Sequence, residues 1–266
     1  FFAGYGRRIM PASAGRTTMC PTELGYDAAL PPSLCLLPIE TRLQSQGLAE
    51  WRLKRDRWID IPLDIHNPEQ VAKSIERVAQ VRHVSVDEAR NLGFWHDEVA
   101  DQNPVVDSQG RVEVPMWRHA IINMPHPLLK QGLVILDTPG LNAVGAEPEL
   151  TVSLIPQAHA VVFILGADTG VTRSDLAIWR EHLISTEAGS EARLVVLNKI
   201  DTLWDTLSSP EQVQAQLKRQ CQASGEMLQV RPDQVVPVSA QKGLVAKITN
   251  DEALLRASGL PLLEDA

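Results

Sequence analysis

The chain has 266 residues, of which 44% are hydrophobic and 22% charged, and this is typical of globular protein with one large domain or two small ones. A net charge of −8 argues against a broad nucleic-acid or anionic-membrane surface, because both need clustered positive charge. The three cysteines, Cys20, Cys35 and Cys221, lack disulfide or metal spacing and favour a reducing compartment such as the cytoplasm.

The first part of the chain has the composition of loops and short strands. Residues 1–22 are rich in glycine, proline and small side chains, and they include a polar tract over 16–22. Short strands are predicted over 23–26 and 34–39.

Residues 42–130 carry a different mixture of strand and helix signals. Asn67 before Pro68 predicts a helix start, and apolar residues at helical spacing then share one face: Val71, Ile75, Val78 and Val81. The other elements predicted here are a strand over 58–63, a helix that begins at Ser85 with Glu88 and stops near Gly93, and strands over 112–114 and 119–122. The basic residues of 52–57 are interpreted as a solvated surface.

From Gly132 onward, strands alternate with helices. A continuous apolar run over 133–136 predicts a strand buried on both faces. Further strands are predicted over 160–165, 193–197 and 235–238, and helices near 148–155, from Thr172, from Ser209 and within 244–256. This alternation predicts an α/β fold with a mostly parallel sheet flanked by helices.

Three of these strands each end in a polar signature: DTPG at 137–140, NKID at 198–201 and SAQKG at 239–243. The carboxyl ends of parallel strands meet at one edge of a sheet, so we expect the three to converge on one ligand. Each signature alone also fits an ordinary strand-to-turn junction. Their occurrence together, in this order and each after an apolar strand, has a chance probability of roughly 3%.

The residue types at these strand ends fit a guanine nucleotide. The Asp201 carboxylate can accept hydrogen bonds from guanine N1–H and the 2-amino group, a donor pair that adenine lacks. Asn198 can bridge loops and reach the base edge, and the Lys199 stem can lie along the base while its ammonium stays in water. The backbone N–H of Ala240 is a candidate donor to the guanine 6-oxo group.

The DTPG signature fits the phosphate side of such a ligand. Asp137 suits a Mg²⁺ position reached through water, because Mg²⁺ keeps several of its waters. The N–H of Gly140 can approach a γ-phosphate, since glycine has no Cβ in the way.

These signatures resemble the third, fourth and fifth guanine-nucleotide motifs of P-loop GTPases. The tract RTTMCPT at 16–22 resembles the switch-I threonine motif of the dynamin-like family, in which a Thr precedes a Pro by three residues, as Thr18 precedes Pro21. The long separation between Thr18 and Asp137, and the apolar Leu141 after DTPG, agree with that family. The resemblance implies a G domain formed by residues 1–41 and 130–266, with an α+β insertion over 42–129.

The resemblance also implies ligands and residue roles. GTP or GDP and Mg²⁺ are the implied cofactors. Thr18 and Gly140 are the implied catalytic residues: Thr18 binds Mg²⁺ together with Asp137 and positions the attacking water, and Gly140 senses the γ-phosphate. Ordering of their two loops by γ-phosphate is the implied switch. The implied nucleotide-binding residues are Asp137, Thr138, Gly140, Asn198, Lys199, Asp201, Ser239, Ala240 and Lys242.

One motif that the resemblance calls for does not occur in the sequence. GxxxxGK[ST], the phosphate-cradling P-loop, should precede Thr18, and no match occurs in the 266 residues. We therefore expect the chain to be a fragment without the first strand and P-loop. We expect it to be inactive alone, while the intact parent hydrolyses GTP to drive conformational change or membrane-associated assembly.

Other interpretations stay open at this stage. A regulatory GTPase of another branch that acts through a partner is one alternative, and a degenerate, non-catalytic scaffold is another. Self-association through the G domain and peripheral membrane contact by regions outside the chain are implied by the family alone. Four of the six tryptophans lie within 42–129 and predict either a small core or a partner surface: Trp51, Trp58, Trp95 and Trp117. The histidines of this part are expected to be structural or exposed: His66, His83, His96, His119 and His126.

Overall fold

The computed structural model describes residues 20–44, 46–98, 103–137, 159–183, 193–204 and 209–265. It forms two compact units, Phe1–Leu150 and Thr151–Ala266, which are described separately. Three predicted site residues, Thr18, Thr138 and Gly140, lie outside the described residues, as does the helix predicted over 148–155.

The first unit is built on a five-stranded mixed sheet and a two-stranded ribbon. Its strands in chain order are β1 (Thr22–Gly25), β2 (Ser33–Pro38), β3 (Ile59–Pro62), β4 (Val81–Ser85), β5 (Arg111–Pro115), β6 (Trp117–Asn123) and β7 (Ile135–Asp137). Its helices are α1 (Leu48–Leu53), α2 (Pro68–Ile75) and α3 (Val86–Asn91). The five-stranded sheet has the order β3-β2-β6-β1-β7, and β4 pairs with β5.

Most neighbours in the five-stranded sheet are antiparallel. Strand β2 is antiparallel to both β3 and β6, and β7 is antiparallel to β1. Only β1 and β6 run parallel. Strands β3 and β6 come from the predicted insertion over 42–129, so the insertion and the segment before it share one sheet. The predicted domain division itself stays a prediction.

Strand β2 lies inside the sheet, between β3 and β6, and its side chains are buried on both faces. Leu34 and Leu36 pack into a core with α2, while Cys35 and Leu37 pack on the opposite face against Trp51 and other side chains of α1 and its surroundings. Three of the four tryptophans of this unit are buried, which supports their interpretation as core residues: Trp51, Trp58 and Trp117.

The helix starts of this unit follow the predicted caps. Asn67 accepts a hydrogen bond from the backbone N–H of Gln70 at 3.1 Å, and Ser85 accepts one from Glu88 at 3.1 Å. One prediction was wrong: Val81 does not extend the apolar face of α2. It opens strand β4 and is 41% exposed, because the helical stretch has ended and the backbone has become extended at Gln80.

The apolar run over 133–136 also differs from its prediction. The strand is Ile135–Asp137, and Leu133 and Val134 lie before it with exposed fractions of 43% and 57%. Within the described residues β7 pairs only with β1, so it lies at a sheet edge and is not buried on both faces. An apolar run indicates a strand, but it does not distinguish an edge position from a central one.

The second unit is built on a three-stranded parallel sheet. Its strands are β8 (Val161–Gly166), β9 (Arg193–Asn198) and β10 (Val235–Pro237), in the order β10-β9-β8. Its helices are α4 (Arg173–Ile178), α5 (Pro210–Leu228), α6 (Ala240–Thr249), α7 (Glu252–Ala257) and α8 (Leu260–Asp265), and α4 continues into a π-helical turn over Trp179–Leu183.

Both faces of this parallel sheet bury apolar side chains. One face carries Val195 and Leu197, which belong to a core with Trp179 and with Leu228 of α5. The other face carries Val196, which belongs to a smaller core with Leu260 and Leu263 of α8. Both predicted helix starts are capped: Thr172 pairs with Asp175 before α4, and Ser209 pairs with Gln212 before α5.

The predicted α/β class is confirmed, but one expectation about the sheet is wrong. DTPG was expected at the carboxyl edge of the same parallel sheet as NKID and SAQKG. In the structure β7, which leads into DTPG, belongs to the mixed sheet of the first unit, whereas β9 and β10 belong to the parallel sheet of the second. The pairing of β7 with β1 accounts for the difference. Among the described residues, no helix has both the length and the apolar character needed to cross a membrane.

Candidate functional site

The ends of β9 and β10 bring two of the predicted signatures together. The strands are parallel neighbours, so NKID after β9 and SAQKG after β10 lie at one edge of the sheet. The strand ladder also continues past β10. Val238 N–H donates to the carbonyl of Leu197 at 2.9 Å, and Ile200 N–H donates back to the carbonyl of Val238 at 3.3 Å.

Asn198 joins the two signatures through a single side-chain oxygen. Its Oδ1 accepts hydrogen bonds from the N–H of Lys199 at 2.8 Å and of Ala240 at 3.1 Å. Its backbone carbonyl accepts a third bond, from Ala167 N–H at 2.7 Å, so the loop after β8 is held at the same place. The predicted loop-bridging role of Asn198 matches this geometry. The Ala240 N–H, considered above as a donor to guanine, donates to Asn198 in this structure.

The Asp201 carboxylate is oriented by a buried serine. Ser239 is fully buried, and its Oγ donates to Asp201 Oδ1 at 2.6 Å while accepting from the N–H of Lys242 at 3.2 Å. Asp201 lies in the 3-10 turn Ile200–Leu203 and is partly exposed. An ionised carboxylate has about four acceptor positions, so the bond to Ser239 fixes its direction and leaves acceptor capacity for a ligand.

Lys199 has an unusual backbone and an anchored side chain. Its φ of 65° lies in the left-handed region, which is uncommon for residues other than glycine and often occurs at functional sites. Its Nζ lies 3.1 Å from Oδ2 of Asp168, in the loop after β8. The hydrogen bond from Lys199 holds the pKa of the Asp168 carboxyl below its usual value.

The sequence analysis did not single out Asp168. The signal that could have indicated it is its position, because it follows the end of β8 just as NKID follows the end of β9.

The SAQKG signature forms a helix start. Ser239 is the N-cap of α6, and Lys242 lies in the first turn of that helix with its side chain half-buried. The next residue is Gly243, which packs closely against Leu260. A Cβ at this position would lie 2.8 Å from a side-chain carbon of Leu260. The segment therefore serves the packing of α6 as well as the strand-end site.

Asp137 is the part of the predicted phosphate side that the structure describes. It ends β7 opposite Thr22 of β1. Its side chain is exposed to solvent, but crowding by protein atoms partly desolvates it and raises its pKa above the usual value. Burial raises the pKa of the nearby Cys20 thiol, and the negative charge of Asp137 adds to this effect.

A carboxylate that lacks full hydration and ends a strand is a suitable donor for Mg²⁺, which prefers hard oxygen ligands. No group of three or more His, Cys, Asp or Glu side chains with metal-site geometry occurs within the described ranges.

The α/β fold and the order of strand-end motifs define the class of guanine-nucleotide-binding GTPase domains. A family model described as the dynamin family matches residues 5–200. This match covers more than half of the chain, and the chain therefore belongs to the dynamin family.

Individual relatives agree with this assignment. A bacterial dynamin-like protein of Nostoc punctiforme is 25% identical over 176 residues, which cover 60% of this chain and 24% of that protein. A probable transmembrane GTPase, FZO-like and chloroplastic, of Arabidopsis thaliana is 30% identical over 127 residues, 47% of this chain and 13% of that protein.

A solved structure shows the same fold. An oligomerised bacterial dynamin pair, described as providing a mechanism for the long range sensing and tethering of membranes, superposes with a TM-score of 0.55 and 15% identity. The match covers 99% of this chain and 34% of the solved one. The chain thus spans about a third or less of the length of these relatives.

Proposed function

We propose that this chain is the guanine-nucleotide-binding part of a dynamin-like GTPase. We propose further that the longer protein hydrolyses GTP to drive conformational change or membrane-associated assembly. The observation that carries the first proposal is the Asp201 carboxylate, held at 2.6 Å by buried Ser239 beside the loops that Asn198 joins. Membership of the dynamin family argues against a GTPase of another branch.

In the proposed complex the base is recognised by its hydrogen-bonding edge. Asp201 accepts from guanine N1–H and the 2-amino group, and the Lys199 stem lies along the ring. The Ala240 N–H turns from Asn198 to the 6-oxo group, and Ser239 and Lys242 close the loop over the base. Adenine offers no donor pair to Asp201, and a partly buried carboxylate without donors disfavours it.

The phosphate side is proposed from the resemblance and from Asp137. Mg²⁺, when bound, neutralises charge on the phosphate oxygens. Asp137 and Thr18 would hold it, Thr18 would orient the attacking water through its carbonyl, and Thr138 and Gly140 would contact the γ-phosphate. Since GxxxxGK[ST] does not occur in the 266 residues, we expect them alone to bind GTP poorly and not to hydrolyse it.

Self-association and membrane contact are proposals for the longer protein. The solved neighbour is an oligomerised pair described as tethering membranes, and this supports assembly through the G domain and peripheral membrane contact outside this chain.

The test of the nucleotide proposal uses the 266-residue chain and does not require tight binding. GDP at millimolar concentration should shift the backbone amide resonances of Lys199 and Ala240 in NMR spectra, whereas ADP should leave them in place. Asp201→Ala should abolish the GDP-dependent shifts. Equal shifts with GDP and ADP would refute guanine recognition.

A second measurement addresses the phosphate side. If residues 1–266 alone bound fluorescent GDP at sub-micromolar concentration, the expectation of an incomplete phosphate site would be wrong.

A further inference from the structure

The loop after β8 presents an exposed carboxylate to the strand-end site. Asp168 Oδ2 lies 3.1 Å from Lys199 Nζ, and the two side chains are 40% and 59% exposed. The Lys199 side chain therefore spans from the end of β9 to the loop after its neighbour β8. This ion pair lies wholly within the second unit, on the same sheet edge as Asp201 and Ala240.

The loop that carries Asp168 is held firmly by backbone hydrogen bonds. Gly166 O accepts from Gly170 N–H at 2.8 Å, and Ala167 N–H donates to the Asn198 carbonyl at 2.7 Å. Gln220 of α5 also holds this loop, because its Nε2 donates to the carbonyl of Ala167 at 3.3 Å. The carboxylate is thus fixed relative to the base site rather than carried on a free turn.

The sequence of the loop leaves room for this carboxylate. A Cβ on Gly166 would collide with Asp168 Oδ1 and would also approach Thr169. Glycine at this position lets the Asp168 side chain fold back over the strand end, towards Lys199.

A lysine side chain that is already held in one conformation should bind a nucleotide base more favourably than a freely rotating one. A lysine side chain has large rotamer freedom, and ordering it when a ligand binds opposes affinity. An ion pair that already fixes the ammonium removes part of this penalty before the ligand arrives. The pair is exposed, so its effect is modest and is screened by salt.

We propose that Asp168 is a positioning residue of the base site, which fixes the Lys199 ammonium and thereby the stem on which the guanine ring rests. This assignment rests on the proposed function, because it acts through Lys199. Asp168 itself need not touch the nucleotide.

The experiment measures GDP affinity of the 266-residue chain by NMR titration of the Lys199 and Ala240 amides. Asp168→Asn should weaken binding about 2- to 5-fold, the range expected when a surface ion pair no longer orders one long side chain. The matched control is Asp233→Asn, which changes the net charge equally and removes another exposed pair, Arg231–Asp233 at 3.3 Å. The control should leave the affinity unchanged.

A second background separates positioning from a general structural effect. Lys199→Met keeps an apolar stem but lacks the ammonium, so Asp168→Asn should cause no further loss of GDP affinity there. In the wild-type background the loss should shrink at about 0.5 M salt, because salt weakens an exposed ion pair. A purely structural role of Asp168 would weaken binding equally in both backgrounds.

The outcomes distinguish this assignment from the proposed function. A guanine-selective wild type in which Asp168→Asn behaves like Asp233→Asn overturns the positioning role alone, as does an equal loss in the Lys199→Met background. A wild type that binds ADP as well as GDP overturns the proposed function, and the assignment with it.

Discussion

His119 should make the first unit sensitive to acid. The imidazole is fully buried in β6, packs edge-on to Trp58, and neither ring nitrogen has a hydrogen-bond partner among the described residues. Its Nε2 lies 4.0 Å from Glu23, whose carboxylate is paired with Arg52. Burial, followed by the positive charges of Arg52 and Arg118, lowers the pKa of His119 to about 3.

The sign of the effect follows from which state takes up the proton first. The unfolded chain protonates His119 near its ordinary pKa of 6.5, while the folded chain keeps it neutral down to about 3. The contribution of neutral His119 to the free energy of unfolding is therefore fully present above pH 6.5 and is lost as the pH falls from 6.5 towards 3. Between about pH 7 and pH 5 the loss is about 2 kcal/mol of unfolding free energy, with a limiting slope of about 1.4 kcal/mol per pH unit.

The assay is urea unfolding followed by tryptophan fluorescence at several pH values. His119→Gln removes the titrating group, so the difference in unfolding free energy between wild type and variant should change by about 2 kcal/mol over this range. His83→Gln is the matched control, because it removes a solvent-exposed histidine of the same unit. A difference that stays constant within about 0.5 kcal/mol would refute the buried, neutral state of His119.

Three further predictions concern the base site and a helix cap. Asp201→Asn should change the nucleotide preference from GDP to xanthosine diphosphate in competition binding, because the amide N–H can donate to the 2-oxo group of xanthine. Ser239→Ala should lower the free energy of unfolding in urea by about 1–2 kcal/mol and also weaken GDP binding. Ser209→Ala, which removes the cap of α5 and a bond to Glu211, should lower stability by a similar amount and leave GDP binding unchanged. Asn67→Ala should lower the free energy of unfolding in urea by about 1 kcal/mol, because it removes the N-cap of α2. An unchanged free energy of unfolding would contradict the stabilising role of this cap.

Local signals predicted the elements well where the chemistry is local. Caps at Asn67, Ser85, Thr172 and Ser209 depend on side chains within three residues, and the structure places each at a helix start. Apart from Val81, where the end of a helix was misplaced, the failures concern long-range pairing. Whether β7 is central or at an edge depends on its neighbour β1, more than a hundred residues earlier, and no local pattern contains that information.

The candidate site divides in the same way. The placement of Asn198, Asp201 and Ser239 at one sheet edge was predictable because the ends of parallel strands constrain position, while their roles towards a nucleotide stay predictions. Asp168 was not, because an aspartate in an exposed turn is an ordinary turn residue until the structure places it beside Lys199. The roles of Thr18, Thr138 and Gly140 stay predictions.

The Ala240 N–H already donates to Asn198 Oδ1, so a bound guanine has to compete with Asn198 for this donor. If the proposed base site is correct, a 6-oxo group that takes this N–H breaks one hydrogen bond for each that it makes, so the net gain is small. A 6-amino group cannot accept the N–H and would leave the internal bond intact. Guanine binding would then also break one of the two hydrogen bonds that Asn198 Oδ1 accepts. The ligand would thereby weaken the link between the ends of β9 and β10.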